Sequence, residues 1–334
     1  MDKAISTKDE GFNKRSIIGI LHKCFAVREI TILIIVLVFG IIMTIASPFF
    51  LTKANLKVVA NSISTDMIVT CAVTIALISG NIDFSIGSII GITGFFTGIL
   101  LNRGVPIIPA ILCGFAVGAI LGLINGLIVT KFKIIPLVAT MGTWMAYKGV
   151  GLMMINNSSL SNFPAEFKVI AQKWTILGLP ISIVLMVVVV LASIWLLKYV
   201  SFFRQSYFIG ANSDSAKLAG IRVDKFIIII YLVIGVMAAI AGILLISRFG
   251  SAPASLGQGT EFRIVTAVLI GGVSFSGGEG SIFGAFLGVL FMGLINNALA
   301  IFSIDANLQL IIVGSILIIS VAVDEANRRR KMYA

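Results

Sequence analysis

Ten apolar runs, most of them about as long as a bilayer is thick, decide what this chain can become. They lie at roughly 30–46, 58–79, 85–101, 107–129, 136–155, 178–197, 226–246, 262–273, 282–299 and 308–323. A helix rises about 1.5 Å per residue and the hydrocarbon core is about 30 Å thick, so about 20 residues cross it. Backbone N–H and C=O groups in hydrocarbon must find partners within the chain, and continuous rather than alternating apolar runs do so as helices. The expected fold is therefore all-α: a polytopic integral membrane protein with about ten transmembrane helices, some short or broken. Composition agrees, since 58% of residues are hydrophobic and 12% charged, against about 45–50% and about 25% in soluble domains.

Charge sets the expected orientation. With both termini inside, seventeen of the 25 Lys and Arg residues fall in inner loops and tails and six in outer loops, the asymmetry of the positive-inside rule. Both termini are read as cytoplasmic, with an N-terminal segment 1–29, a membrane domain 30–325 and a basic tail 326–334. The first run follows Lys14 and Arg15 like a secretory signal, but 30–46 exceeds the usual apolar core of about 7–15 residues and Pro48 sits badly for cleavage. It reads as a retained first span. The longest outer loop, 156–177, carries Trp174 with Glu166, Lys168 and Lys173, a mixture that suits the outer interface.

Several functions are excluded. One His (His22) and three scattered Cys (Cys24, Cys71, Cys113) provide neither metal-ligand spacing nor a nucleophile with its base. No metal site and no catalytic residue is expected. The net charge of +11 lies in the short segments between apolar runs, as topology demands, so no nucleic-acid partner is assigned. The stretch "SFSGGEGS", 274–281, contains a near copy of the Ser-Gly-Gly-Gln/Glu run of ATP-binding-cassette ATPases. A phosphate-cradling G-x-x-x-x-G-K-[ST] loop is absent from all 334 residues, and without it the match is a Gly-rich turn between membrane segments.

Glycines and buried polar residues carry the remaining signal. Gly114, Gly118, Gly122 and Gly126 repeat every four residues in the fourth run, and Gly87, Gly91, Gly94 and Gly98 strip one face of the third; Gly284 and Gly288 begin another in the ninth. Small residues at this spacing let helices approach closely in lipid. The third run opens at "SGNIDFSIG", where Asp83 or Ser85 can cap a helix after a Gly80-Asn81 break. The eighth opens at "GQGTEFR" with Glu261 and Arg263. Such breaks are tolerated where they line protein or a water-filled cavity. Asp83, Asn125, Glu261, Asn296 and Asn297 form a candidate translocation path, with Asp66 and Lys148 as further possibilities. For the amides a satisfied interhelical hydrogen bond is the competing reading. No aromatic cluster lies beside these groups in the sequence, so a tight sugar site is not expected inside the bundle.

Between the sixth and seventh runs lies "YFIGANSDSAKLAGIRVDKF". Asn212 or Ser213 can cap a short helix, Asp214 suits its first turn and Gly220 its stop. The stretch "GANSDSAKLAGI" resembles the Gly-x-Asn-x-x-Ala-x-x-x-Gly-Ile coupling region of the membrane permeases of ribose- and xylose-type ABC importers. Three other stretches are similar to that family in the same order: "SGNIDFSIGSIIGITG", "NGLIVTKFKIIPLVATMGTWMAYKGV" and "GGVSFSGGEGSIFGAFLG". Together they cover about 55–325. Asn81, Phe84 and Leu137 depart from the family's usual Gly, Leu and Phe.

The resemblance implies a ten-span permease in a bacterial cytoplasmic (inner) membrane, in contact with membrane lipid and paired with a second permease, identical or paralogous. It further implies two separate cytoplasmic ABC ATPases holding ATP and Mg2+, no cofactor on this chain, and an extracytoplasmic solute-binding protein. Gly210, Asn212, Ala216, Gly220 and Ile221 would form the ATPase-coupling segment, about 210–222, with Leu218 on its apolar face and Ala216 and Ala219 small enough for close approach. The implied cargo is a small sugar or sugar-like solute, with branched-chain amino acids or nucleosides as the alternative. An ion-coupled secondary carrier built on Asp66 and Asp83 is the competing mechanism.

Overall fold

The computed structural model describes residues 28–172 and 179–333; Trp174, Lys173, His22, Cys24 and nearly all of the N-terminal segment lie outside them. The described residues form thirteen helices: α1 (Arg28–Ala46), α2 (Lys53–Ile78), α3 (Ile86–Asn102), α4 (Ile107–Lys131), α5 (Pro136–Met154), α6 (Ala165–Gln172), α7 (Ile181–Tyr199), α8 (Ser201–Ala211), α9 (Ser213–Leu218), α10 (Val223–Phe249), α11 (Thr260–Ile270), α12 (Ile282–Ile301) and α13 (Ala306–Tyr333). Ten of them coincide with the ten apolar runs. Seven (α1, α2, α4, α7, α10, α12 and α13) are long and apolar enough to cross a membrane, and α3 is a shorter apolar helix. The ten expected spans thus resolve into seven full-length helices, α3, the more polar α5, and α11. With 11 residues, α11 covers about 16 Å, roughly half the hydrocarbon core.

The centre of the bundle is α2 and α10, with α3 and α4 against α10 and α11 and α12 against α2. The second half of α2 is buried on every side from Ile63 to Ile78. The α4–α10 contact is made of backbone. A Cβ built on Gly118 would lie 2.5 Å from the Gly235 carbonyl oxygen, and one on Gly122 would strike the Tyr231 carbonyl. Gly114 and Gly126 meet Ile243 and Ile228 of the same helix. Gly284 and Gly288 of α12 lie equally close to Gly271 and Ala267 of α11. In lipid, where apolar solvent gives no hydrophobic push between helices, such approaches bring dispersion contacts within reach along whole faces.

The loops at one end of the bundle are fastened to it. Leu160 and Ala252 exchange backbone hydrogen bonds of 3.0 and 2.8 Å. The Ser247 hydroxyl donates to the Phe167 carbonyl (2.7 Å) and accepts from the Ala171 N–H, which seats α6 on the end of α10. From that clip, residues 253–259 run back along α3 without helix: Leu256 lies by Gly91 and Gly94, and Gly257 by Gly87. The glycine face of α3 therefore holds a segment of consecutive turns that leads to the start of α11.

Candidate functional site

The interior site begins at the break between α2 and α3. Gly80 turns the chain with φ +77°, and Asp83 follows, fully buried. Its Oδ1 accepts from the Ser85 N–H (2.7 Å) and hydroxyl (2.6 Å). Ser85 holds the N-cap position, but its own side chain makes no capping bond to α3; Asp83 fixes the turn just before it. The Ser85 Oγ in turn accepts from Asn125 Nδ2 of α4 (2.7 Å), and Asn125 Oδ1 accepts from the Tyr147 hydroxyl of α5 (3.1 Å). The Tyr231 hydroxyl of α10 donates to the Ile82 carbonyl at 2.9 Å. A non-helical backbone at membrane depth is thus held by side chains from α4, α5 and α10, as such a break requires. Asp83 Oδ2 has no partner.

The second break is the start of α11. Glu261 is 1% exposed; its Oε1 accepts from the Gly259 N–H at 3.2 Å, while its Oε2, set against Gly87, has no hydrogen bond. Arg263 reaches across to α2 and grips Asp66 with both arms, Nε to Oδ2 at 2.8 Å and Nη2 to Oδ1 at 2.9 Å. This two-point geometry is the strongest form of carboxylate pairing. Asp66 is accordingly a clamp between α2 and α11.

Beside Glu261, between α3, α5 and the 253–259 segment, lies a cavity of about 30 Å³ lined by Ser88, Trp144, Tyr147, Lys148 and Gln258 among others. By this measure about 10–15 Å³ holds a water, so the space takes about two waters, and a larger solute needs more room. Lys148 Nζ sits over the Trp144 ring, 5.7 Å from its centre. Trp144 also meets Phe262 edge-on at 6.3 Å, and Phe262 meets Phe84 at 5.4 Å. The expectation of no aromatic cluster beside the polar groups is corrected here. Phe84, Trp144 and Phe262 come from three segments far apart in sequence, and only the packing of α3, α5 and α11 brings them together.

The other path residues part company. Asn297 exchanges two hydrogen bonds with Asn55, at 2.9 and 2.7 Å, and so joins α12 to α2; this is the interhelical amide pair. Asn296, its neighbour in sequence, is half-buried. Asp83 and Asn125 are joined through Ser85, and Glu261 is buried against Gly87 at the start of α11. Sequence reasoning missed Tyr147, Tyr231 and Asn55. For Tyr147 and Tyr231 the signal is a hydroxyl inside an otherwise apolar run, which needs a partner in lipid; Asn55, before the second run, carries no such signal.

On the opposite side of the break, α8 and α9 form a short surface excursion. Asn212 caps α9, its Oδ1 accepting from the Asp214 and Ser215 N–H groups at 3.0 and 2.9 Å, and Gly220 ends the excursion with φ +81°. Leu218 is 91% exposed, with Lys217 paired to Asp214 beside it. Ala216 is 4% exposed and belongs to the core. The expectation that Ala216 faces a partner is therefore reversed: its small side chain seats α9 on the bundle, and Leu218 is the apolar group turned outward. Gly210, just before α9, is pressed between the Ile78 carbonyl and the Gly278 N–H.

A bundle with seven helices, among the described residues, long and apolar enough to cross a membrane, two interior breaks, a polar and aromatic cavity, and a short capped helix presenting a bare leucine at one face is that of a polytopic membrane protein. Residues 55–321 match the family described as branched-chain amino acid transport system / permease component, and the chain belongs to that family. It is 33% identical over 315 residues to the autoinducer 2 import system permease protein LsrC of Photorhabdus laumondii, covering 92% of this chain and 94% of that one. It is 32% identical over 292 residues to the D-allose transport system permease protein AlsC of Escherichia coli K12 (87% and 88%), and 31% over 295 residues to that strain's ribose import permease protein RbsC (87% and 92%). No solved structure matches the chain. The chain is thus the multi-pass permease component of an ABC importer and not an enzyme.

Proposed function

We propose that this permease carries a small sugar or sugar-derived solute inward, delivered by an extracytoplasmic binding protein and driven by cytoplasmic ATPases that hold ATP and Mg2+. The family's title names branched-chain amino acids, whereas the relatives' titles name ribose, allose and autoinducer 2. The interior favours the sugar: a flat Trp144 ring flanked by Lys148, Gln258, Ser88 and the carboxylate of Glu261 offers an apolar face and hydrogen-bonding groups to a polyhydroxylated solute. Asp83 and Asn125 would line the same route. Asn297 takes the packing role with Asn55.

The observation that carries the coupling half of the reading is Leu218, 91% exposed on a helix whose opposite side is anchored by Ala216. A lone leucine on a capped helix suits insertion into an apolar cleft of a partner subunit. With that face cytoplasmic, both termini and the 210–222 segment lie inside, in the membrane of a bacterium, and a second permease, identical or paralogous, covers the exposed face of α5.

The test is native mass spectrometry of the solubilised complex, followed by uptake into proteoliposomes with sugars and with branched-chain amino acids. Co-purified ATPase and ATP-dependent uptake of a sugar are expected. Uptake of leucine but no sugar would overturn the substrate assignment, and uptake collapsed by a protonophore while ATP persists would overturn the energy source.

A further inference from the structure

The glycine-rich turn at 274–281 plays no part in nucleotide binding or in the solute route, yet three parts of the chain converge on it. The Gly278 N–H donates to the Ile78 carbonyl, the end of α2, at 2.7 Å. A Cβ on Gly210, the end of α8, would strike that same carbonyl and come within 2.5 Å of the Gly278 nitrogen. One on Gly277 would lie 2.8 Å from the Gly80 nitrogen and 3.1 Å from the Gly210 Cα. The Tyr207 hydroxyl of α8 donates to the Gly280 carbonyl at 3.0 Å. On its far side the turn is tied to α13, where Asp324 Oδ2 accepts from the Ser274 hydroxyl (3.1 Å) and the Phe275 N–H (3.0 Å).

Gly277 and Gly278 adopt φ of +83° and +81°, which suits glycine. The result is backbone laid directly on backbone, with no side chain between α8, the end of α2 and the turn. A cavity of about 370 Å³ lined by Gly210, Ala211, Gly277 and Gly278 opens on one side of the joint, but where the backbones touch, displacement is transmitted rather than absorbed. Both interior breaks hang from this point: Asp83 is five residues beyond Ile78, and α11, with Glu261 and Arg263, runs into the turn at Gly271.

We infer that the turn is the joint through which movement of α8 and α9 reaches both interior breaks, with Gly210, Gly277 and Gly278 as positioning residues that keep the three segments moving as one body. The inference rests on α9 docking to the ATPase. Displacing α9 carries Gly210, Gly210 carries Ile78 and the turn, and these shift the Asp83 loop and α11 together.

The experiment uses the complete transporter, with its ATPase and binding protein, in proteoliposomes. Gly210→Ala and Gly277→Ala wedge the joint, while Gly104→Ala, at φ +80° with nothing within 4 Å of its Cβ, controls for backbone strain. The expected result is retained ATPase and ATP hydrolysis, with solute moved per ATP reduced about fivefold or more, the lower end of measured couplings between sites; Gly104→Ala keeps the ratio. A second construction fixes the joint. A Cβ on Gly278 would lie 3.6 Å from that of Ala211, within the separation a disulfide spans, so Ala211→Cys with Gly278→Cys, in a background without native cysteines, locks it. Uptake in the oxidised state should equal that in the reduced state, since the joint stays closed throughout. An unchanged ratio in the wedged variants, or arrest on oxidation, overturns the inference. If the wedged variants fail to assemble, the locked pair decides. Leu218→Glu reports on the docking reading separately: normal uptake there defeats docking, whereas a dead Leu218→Glu beside unaffected wedged variants defeats the joint alone.

Discussion

Replacing Gly118 or Gly122 of α4 by alanine adds one methyl group and should nevertheless destabilise the bundle. The Gly118 Cβ would lie 2.5 Å from the Gly235 oxygen and 2.7 Å from the Ala239 Cβ, where ordinary contacts begin at 3.4 Å. The obstacle is α10 backbone, so the helices must part by about 0.9 Å. A gap of that size forfeits about a quarter to a half of each contact's ~0.1–0.2 kcal/mol, and over about 40 atom pairs the loss is about 2 kcal/mol. Alanine itself stabilises a helix interior over glycine by about 0.5–1 kcal/mol. That gain should appear alone at Gly40 and Gly314, where nothing lies within 4 Å of the added Cβ. The sign of the effect therefore separates the two pairs. The net loss is then about 1 kcal/mol, and thermal denaturation of the detergent-solubilised permease, followed by size-exclusion chromatography, should place Gly118→Ala and Gly122→Ala about 2–4 °C below wild type, and Gly40→Ala and Gly314→Ala at or above it. If all four variants melt together, α4 and α10 are not in backbone contact and the reasoning fails.

Asp66→Asn should leave the Arg263 guanidinium without its carboxylate and cost about 3 kcal/mol, while Asp66→Leu with Arg263→Met recovers much of that, because removing both charges removes the desolvation cost; denaturation of the four-variant cycle measures it. Asn297→Leu orphans the Asn55 amide, and the double-mutant coupling should be about 1–2 kcal/mol, near the upper end seen in membrane bundles; a coupling near zero would return Asn297 to the solute route. Leu218→Glu should abolish uptake with membrane insertion intact, since a buried unpaired charge at a docking face costs several kcal/mol. A cysteine at Leu218, with native cysteines removed, should crosslink to the ATPase, and labelling of it only from outside intact cells would reverse the topology.

The helices were readable because lipid penalises unpaired backbone so heavily that a long apolar run has one solution. The short surface helix α9 was readable for a local reason: Asn212, Asp214 and Gly220 fix a cap, a first turn and a stop within nine residues. What escaped was anything requiring two distant segments. Asp66 looked like a route or proton-site carboxylate until Arg263, 197 residues later, was placed against it. Ala216 and Leu218 are both apolar and two residues apart, so nothing local said which one faces the bundle. The aromatic cluster at the cavity escaped because its rings are contributed by α5, α11 and the turn before α3. The "SFSGGEGS" turn is the sharpest case. Its glycines matched a nucleotide-binding signature by letter, while their physical purpose lies in Gly210 and Ile78, neither of which is near it in sequence.

These placements also bear on the two ways such a chain can be powered. An ion-coupled carrier needs an acidic site in the membrane that is free to exchange a proton or cation, preferably with a second one close by. Asp66 is neutralised by a guanidinium bound through both nitrogens, and releasing it for an incoming ion would strand the Arg263 charge. Asp83 keeps one free oxygen, but its other oxygen holds the turn that starts α3, so loading it would compete with the geometry of the break. The two carboxylates are engaged with different elements, Asp66 with α11 and Asp83 with the start of α3, and among the described residues no group of three or more His, Cys, Asp or Glu could hold a metal ion. Asp66 clamps a half-helix and one oxygen of Asp83 fixes a break, while Asp83 Oδ2 and Glu261 Oε2 carry no hydrogen bond. An Asp66 tied to Arg263 makes a poor exchangeable ion site, which agrees with a permease of the ABC importer family, and under the proposed function the exposed Leu218 on α9 is the group expected to meet the ATPase.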